Sequence, residues 1–169
     1  MSTQPGSEAF LQLVQQNRGI IFKICNSYCA NKNDREDLAQ EVIYQLWKSG
    51  NSFNGSYKFT TWMYRIALNV AISFYRKENK KGPVISLNEN NMDVEDKEGF
   101  VYETEENLNL LQQFINELKE LDRALMILYL EAKSYAEIAE ITGLTETNVS
   151  TKINRIKDKL KQKFLTVNK

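Results

Sequence analysis

The sequence predicts an all-α chain of two small helical domains joined by a flexible linker. Three observations carry this. Helix breakers are scarce, with 2 Pro and 7 Gly among 169 residues. Apolar residues recur at three- and four-residue spacing through most of the chain, the period of an amphipathic helix. One stretch, GPVISLNENNMDVEDKEGFVYETEE (82–106), abandons that spacing and is acidic, a composition that does not build a core. The expected domains are therefore 7–81 and 107–166, with 82–106 as the tether.

The first helical stretch runs from Ser7 to about Ala30, and Gly19 is the place where it breaks or bends. NKND (31–34) reads as a turn, with Asn33 or Asp34 as the cap of the next helix. In REDLAQEVIYQLWKS (35–49), Leu38, Val42, Ile43, Leu46 and Trp47 share one face. GNSFNGSYK (50–58) is a loop. FTTWMYRIALNVAISFYRKENKK (59–81) is a longer helix. At about 100° per residue, Phe59, Met63, Ile66, Ala67, Val70 and Phe74 form its core face. Lys58, Arg65, Asn69, Arg76 and Lys80 form a polar, positive face with Trp62 on its border, and Tyr64, Leu68 and Tyr75 a third, semi-apolar one. Cations for phosphates, rings for stacking and an amide for base edges suit single-stranded or partly melted DNA. The residues alone favour a three-helix bundle with a solvated charged face and the aromatics packed on a neighbour.

Pro83 forbids helix continuation. The helical period resumes near Asn107, with one stripe of Leu108, Leu111, Phe114, Ile115 and Leu118 and another of Leu121, Leu125, Leu128 and Tyr129. Residues 134–160 read as a helix-turn-helix. Ser134 caps a short helix with Glu137 as its capping-box partner, Ile138 and Ala139 face inward, and Gly143 supplies a left-handed turn. Leu144 plugs the turn and Thr145 caps the second helix, whose inner face is Val149, Ile153, Ile156 and Leu160. Glu146, Thr147, Asn148, Ser150, Thr151, Lys152, Asn154 and Arg155 remain outward, side chains suited to base edges and phosphates. Lys157, Lys159, Lys161 and Lys163 follow and favour phosphate contact. A plain hairpin with a solvated basic face is the bland alternative.

Charge is zero overall but uneven. Residues 1–81 hold 11 Lys/Arg against 6 Asp/Glu, residues 82–110 hold 1 against 8, and residues 145–169 hold 7 against 2. A nucleic-acid footprint is a local positive patch, so the mean does not exclude one. Histidine is absent, which removes Ser-His-Asp, Cys-His and His-ligated metal chemistry. No metal, cofactor or small-molecule substrate is expected. Cys25 and Cys29 stand four apart on one helical pattern and read as reduced, buried apolar residues of a cytoplasmic protein. No apolar run approaches the ~18 residues of a membrane span, and the N-terminus lacks the layout of a secretion signal.

Three motifs occur in order: DREDLAQEVIYQLW (34–47), FTTWMYRIALNVAISFYRK (59–77) and the hairpin at 134–160. Together they resemble the extracytoplasmic-function (ECF) sigma factors of bacterial RNA polymerase, in the sigma-70 family. The resemblance covers about 8–81 and 107–165. It implies a sigma region 2 bundle, a flexible linker and a sigma region 4 helix-turn-helix. The 35–47 helix would dock on the polymerase clamp helices, with Asp37, Gln40, Glu41, Leu46 and Trp47 matching the motif. Gln40 and Glu41 are expected outward, Leu46 and Trp47 at least partly in the core. The 59–77 helix would engage the −10 element through Trp62, Arg65, Asn69 and Arg76, with Asn69 reading a base. The loop SFNGSYKF (52–59) would capture a flipped-out base through Phe53, Asn54, Ser56 and Lys58. The −35 duplex would be read by Thr147, Asn148, Ser150, Thr151, Lys152, Asn154 and Arg155. Many family members carry Arg near the start of that helix, where this chain has Ser150 and Thr151.

The implied function is a non-catalytic subunit that binds core RNA polymerase and directs promoter-specific initiation. Its implied partners are core polymerase, promoter DNA and an anti-sigma factor, without membrane insertion. A helix-turn-helix repressor acting without polymerase is the reading from a different class. It explains the hairpin but not the DLAQE motif.

Overall fold

The computed structural model describes residues 7–53, 55–80 and 102–167. The chain divides into two compact units, Met1–Gly82 and Pro83–Lys169. Every regular element among the described residues is helical.

The first unit comprises α1 (Ser7–Gln16), α2 (Arg18–Tyr28), α3 (Lys32–Ser49), a single 3-10 turn (Gly50–Ser52) and α4 (Phe59–Lys80). The first break falls at Asn17 and not at Gly19, which lies inside α2. Asn17 bends the chain by donating its side-chain amide to the Leu13 carbonyl at 2.8 Å, a local bond that competes with helix continuation. The cap of α3 is Asn31, neither Asn33 nor Asp34. Its side-chain oxygen accepts from the Asp34 backbone N–H at 2.7 Å, and its amide donates to the Asp34 carboxylate at 2.7 Å.

α4 packs against both α2 and α3, and its core face differs from the predicted one. Thr61, Trp62, Met63, Tyr64, Ala67, Leu68 and Ala71 are buried, whereas Ile66, Val70 and Phe74 are only half-buried. The buried arc is turned by roughly a quarter of the helix circumference. Ala67 and Ala71 explain the choice: their small side chains let two neighbouring helices approach closely. The rest of this core is Ile21, Ile24, Cys25 and Tyr28 of α2 with Leu38, Val42 and Leu46 of α3.

The second unit comprises α5 (Tyr102–Asn116), α6 (Glu120–Leu130), α7 (Tyr135–Thr142) and α8 (Glu146–Val167). α5 starts five residues before the predicted resumption at Asn107, so the end of the acidic stretch is helical. Acidic residues are favourable at a helix N-terminus. The tether expected over 82–106 otherwise lies outside the described residues through position 101. α6 is the central helix, buried from Arg123 through Leu128, and α5, α7 and α8 pack on it. Leu108 of the first predicted stripe is exposed, while Phe114, Ile115 and Leu118 are core.

α6 ends in a Schellman motif, with Lys133 N–H bonded to the Leu128 carbonyl and Ala132 N–H to the Tyr129 carbonyl. The left-handed position is Ala132, at φ 60°, where a Cβ is unfavourable. Ala132→Gly should stabilise the second unit by about 1 kcal/mol, read as a rightward shift of its urea midpoint.

Candidate nucleic-acid interface

The helix-turn-helix forms as its local signals dictate. Ser134 and Glu137 make the reciprocal capping box. Gly143 takes φ 77°. The Thr145 hydroxyl accepts from the Asn148 N–H at 3.1 Å. Val149, Ile153, Ile156 and Leu160 are all buried, as is Ile138, while Ala139 and Leu144 are half-buried. Burial of one face leaves Thr147, Asn148, Thr151, Asn154 and Arg155 exposed and Ser150 and Lys152 half-exposed. They therefore share one outward surface.

The basic tail of α8 divides. Lys159 and Lys161 are exposed. Lys157 instead lies over the Tyr129 ring, 4.3 Å from its centroid. Lys163 pairs with Glu117, in the turn just after α5, and lies over Phe114, whose ring meets Phe164 edge-on at 5.1 Å. Two of the four lysines expected at phosphates thus hold α8 to its neighbours.

On the first unit, α3 presents two different sides. Leu38, Val42 and Leu46 are fully buried. Asp37, Gln40 and Glu41 are exposed. Leu46 is thus core and not surface. Ile43 (46% exposed), placed by its spacing on the face of Leu38, Val42 and Leu46, is open to solvent together with Tyr44 (56%), and Trp47 (50%), expected at least partly in the core, is half-exposed. The inner edge of Trp47 meets Phe10 at 5.9 Å. Tyr44 was missed in the sequence. The signal was there: α3 carries more large apolar side chains than one core-facing stripe needs.

A groove of ≈ 590 Å³ runs between α3 and α4, lined by Asp37, Glu41 and Gln45 on one side and Asn69, Val70 and Phe74 on the other. Asn69 is exposed there, Arg76 is exposed and Arg65 half-buried. The structure thereby brings the residue assigned to base reading beside two assigned to polymerase docking. Val70 and Phe74, predicted as core, form the groove's apolar wall.

Trp62, placed by the sequence on the border of the polar face, is only 7% exposed. It is enclosed by Phe10 at 6.1 Å, Phe53 at 5.4 Å and Phe59 at 5.5 Å. Phe10 comes from α1, far away in sequence, which is why local angular sorting left Trp62 outside. The cluster also fixes the loop after α3: Phe53 is half-buried on it, and a Cβ at Gly50 would meet the Phe10 ring at 3.4 Å. Ser56 and Lys58 are exposed. Asn54 lies outside the described residues.

Both cysteines are buried and free. Burial pushes the Cys25 thiol up to about 11 and, with the neighbouring Cys25, the Cys29 thiol up to about 12, so neither is a nucleophilic thiolate at neutral pH. Among the described residues, no His/Cys/Asp/Glu group could hold a metal ion, and no helix is long and apolar enough to cross a membrane.

Two helical units, one with a capped helix-turn-helix and the other with an uncovered apolar stripe beside a polar Asn-bearing face, define the class: a two-domain helix-turn-helix protein. Comparison with known proteins gives the family. The family model for Sigma-70 region 2 matches residues 13–81 and that for Sigma-70 region 4 matches 108–160. The ECF RNA polymerase sigma factor SigW of Bacillus subtilis is 29% identical over 93% of this chain and 89% of its own length. RNA polymerase sigma factor YlaC of the same organism is 31% identical over 75% of each chain. The fold is shared with CnrH, solved with the cytosolic domain of CnrY, at TM-score 0.69 and 21% identity over 98% of this chain and 94% of that one. It is also shared with RpoE of Bartonella quintana, solved with the anti-sigma factor NepR, at TM-score 0.71 and 21% identity over 95% and 98%. The chain belongs to the ECF sigma factors of the sigma-70 family.

Proposed function

We propose that this sigma factor is a non-catalytic, cytoplasmic subunit that docks on core polymerase through α3 and stabilises melted −10 DNA through α4 and the preceding loop. On this reading residues 7–81 carry both tasks, 107–166 read the −35 duplex and 82–106 is the tether. The observation that carries the reading is the stripe of Ile43, Tyr44 and Trp47. The first unit has the apolar material to build a core yet leaves these three large side chains in solvent, beside Asp37, Gln40 and Glu41. Clustered exposed apolar side chains mark a protein-interaction surface, and charged neighbours give it orientation. A helix-turn-helix repressor would use such a stripe to dimerise, but that gives no account of the DLAQE motif beside it.

On α4, Arg65, Asn69 and Arg76 supply charge and an amide for a single strand, and Phe53, Ser56 and Lys58 flank the place for an extruded base. Trp62 contributes from beneath, as the buried floor under Phe53. In α8, Thr147, Asn148, Ser150, Thr151, Lys152, Asn154 and Arg155 face the major groove. An anti-sigma factor completes the partner set, as a protein able to cover the α3 surface and compete with polymerase for it.

The deciding experiment mixes the purified chain with sigma-free core polymerase on a promoter library and reads association and transcript output. Association with promoter-specific transcripts is expected; tight duplex binding without polymerase association would overturn the reading. Within that assay Asn69→Ala should lower promoter opening by about 10-fold, the scale of one lost base contact. Polymerase affinity should stay within about twofold. Equal loss of both would assign Asn69 to the docking side of the groove it shares with Asp37 and Glu41.

A further inference from the structure

The loop after α3 is held at two points by one face of α4. At its start, Phe53 meets Phe59 at 5.6 Å and Trp62 at 5.4 Å. At its end, the Arg65 guanidinium lies over the Tyr57 ring, 5.2 Å from the centroid. Phe59, Trp62 and Arg65 follow one another at three-residue spacing, so they stand in a row along the helix. Between the two attachments Gly55 takes φ 79°, a bend that glycine adopts without strain. Tyr57 is 41% exposed and is the outermost piece of this stack. The loop's bend and both its ends are thus set before any ligand arrives, and ordering that precedes binding does not oppose it.

We propose that Tyr57 and Arg65 form a clasp that positions the loop for an extruded −10 base, making Tyr57 a positioning residue for base discrimination. Arg65 then acts through its flat guanidinium as well as its charge. This distinction can be tested, because lysine keeps the charge but lacks the plane that stacks on a ring. The clasp rests on the sigma-factor reading of the loop given above.

The test uses the full chain assembled with core polymerase and a set of single-stranded oligonucleotides carrying each of the four bases at each −10 position. Tyr57→Ala and Arg65→Lys should each weaken the preferred strand by about two- to fivefold, the scale of an exposed cation–π contact, and should narrow the gap between preferred and disfavoured bases. Tyr57→Phe should restore both. The double variant should be no worse than either single one, because both remove the same contact. Holoenzyme assembly should not change and the thermal midpoint should fall by no more than a few degrees, which separates positioning from loss of the fold. The clasp is overturned if Arg65→Lys keeps full discrimination while Arg65→Ala weakens every strand equally, since Arg65 is then only a phosphate counter-charge. Additive losses in the double variant overturn it too. If the unsubstituted holoenzyme shows no base preference on single strands, the sigma-factor reading of the loop fails, and the clasp with it. If that preference is present and survives both substitutions, the clasp alone fails.

Discussion

Trp47→Ala should weaken assembly with core polymerase by about 30-fold or more, the effect of removing an interface hot spot worth ~2 kcal/mol. Trp47 is the largest member of the exposed Ile43, Tyr44 and Trp47 stripe. Its inner edge is braced by Phe10 at 5.9 Å, so the ring is presented to a partner with little rotamer freedom left to lose. That bracing predicts a second, smaller effect. Loss of the edge contact should destabilise the first unit by about 1 kcal/mol. The two effects separate when assembly is titrated well below the thermal midpoint, where the variant remains folded. Leu46→Ala supplies the contrast. Leu46 is adjacent in sequence but fully buried, so its truncation should cost about 2–5 kcal/mol of stability and leave the affinity of the folded fraction unchanged. Trp47→Ala assembling within about twofold of the unsubstituted chain would remove α3 as the docking surface.

The helix-turn-helix was legible because its determinants are local. Ser134, Glu137, Gly143 and Thr145 each act on backbone within a few residues, and the structure places all four as capping and turn chemistry require. Val149, Ile153, Ile156 and Leu160 offered no competing apolar arc, so the buried side of α8 was determined by spacing alone.

α4 was harder. Ile66, Val70 and Phe74 mark one apolar arc and Tyr64, Leu68 and Ala71 another, and both are long enough to form a core. Bulk favoured the first, close approach by α2 and α3 selected the second, and only Ala67 and Ala71 hinted at this. Trp62 depended on Phe10, a partner that no local pattern connects to it. The cap of α3 had three eligible side chains of near-equal intrinsic preference, and Asn31 prevailed through its two-way bonding with Asp34. These misreadings concern which element covers which side chain, a question answered by chain topology and not by periodicity.

Arg123→Ala should lower the stability of the second unit by about 3 kcal/mol. Arg123 lies on α6 and is buried, a rare condition for a charged side chain. Its Nη2 donates to the Asn116 carbonyl and, at 3.1 Å, to the Leu118 carbonyl. Asn116 ends α5, and Leu118 lies in the turn that leads to α6. The last carbonyls of a helix lack intrahelical partners, and a guanidinium there both satisfies them and complements the helix dipole. Hydrogen bonds to a charged group contribute about 1.5–3 kcal/mol each, and removing the donor also leaves carbonyls under-satisfied and a cavity behind. For a unit of this size ~3 kcal/mol should lower the thermal midpoint by more than about 10 °C. Arg123→Met separates the contributions: it refills most of the volume without the hydrogen bonds, so it should recover the cavity part alone. Arg123→Lys keeps the charge but not the planar donor fork and should fall between them. Because α8 packs on α6, −35 duplex binding should disappear together with the second unit's unfolding transition, at a lower temperature than in the unsubstituted chain. Below that transition its affinity should be unchanged. A shift of less than about 1 kcal/mol in urea unfolding for Arg123→Ala would show that the α5–α6 corner holds without its buried cation.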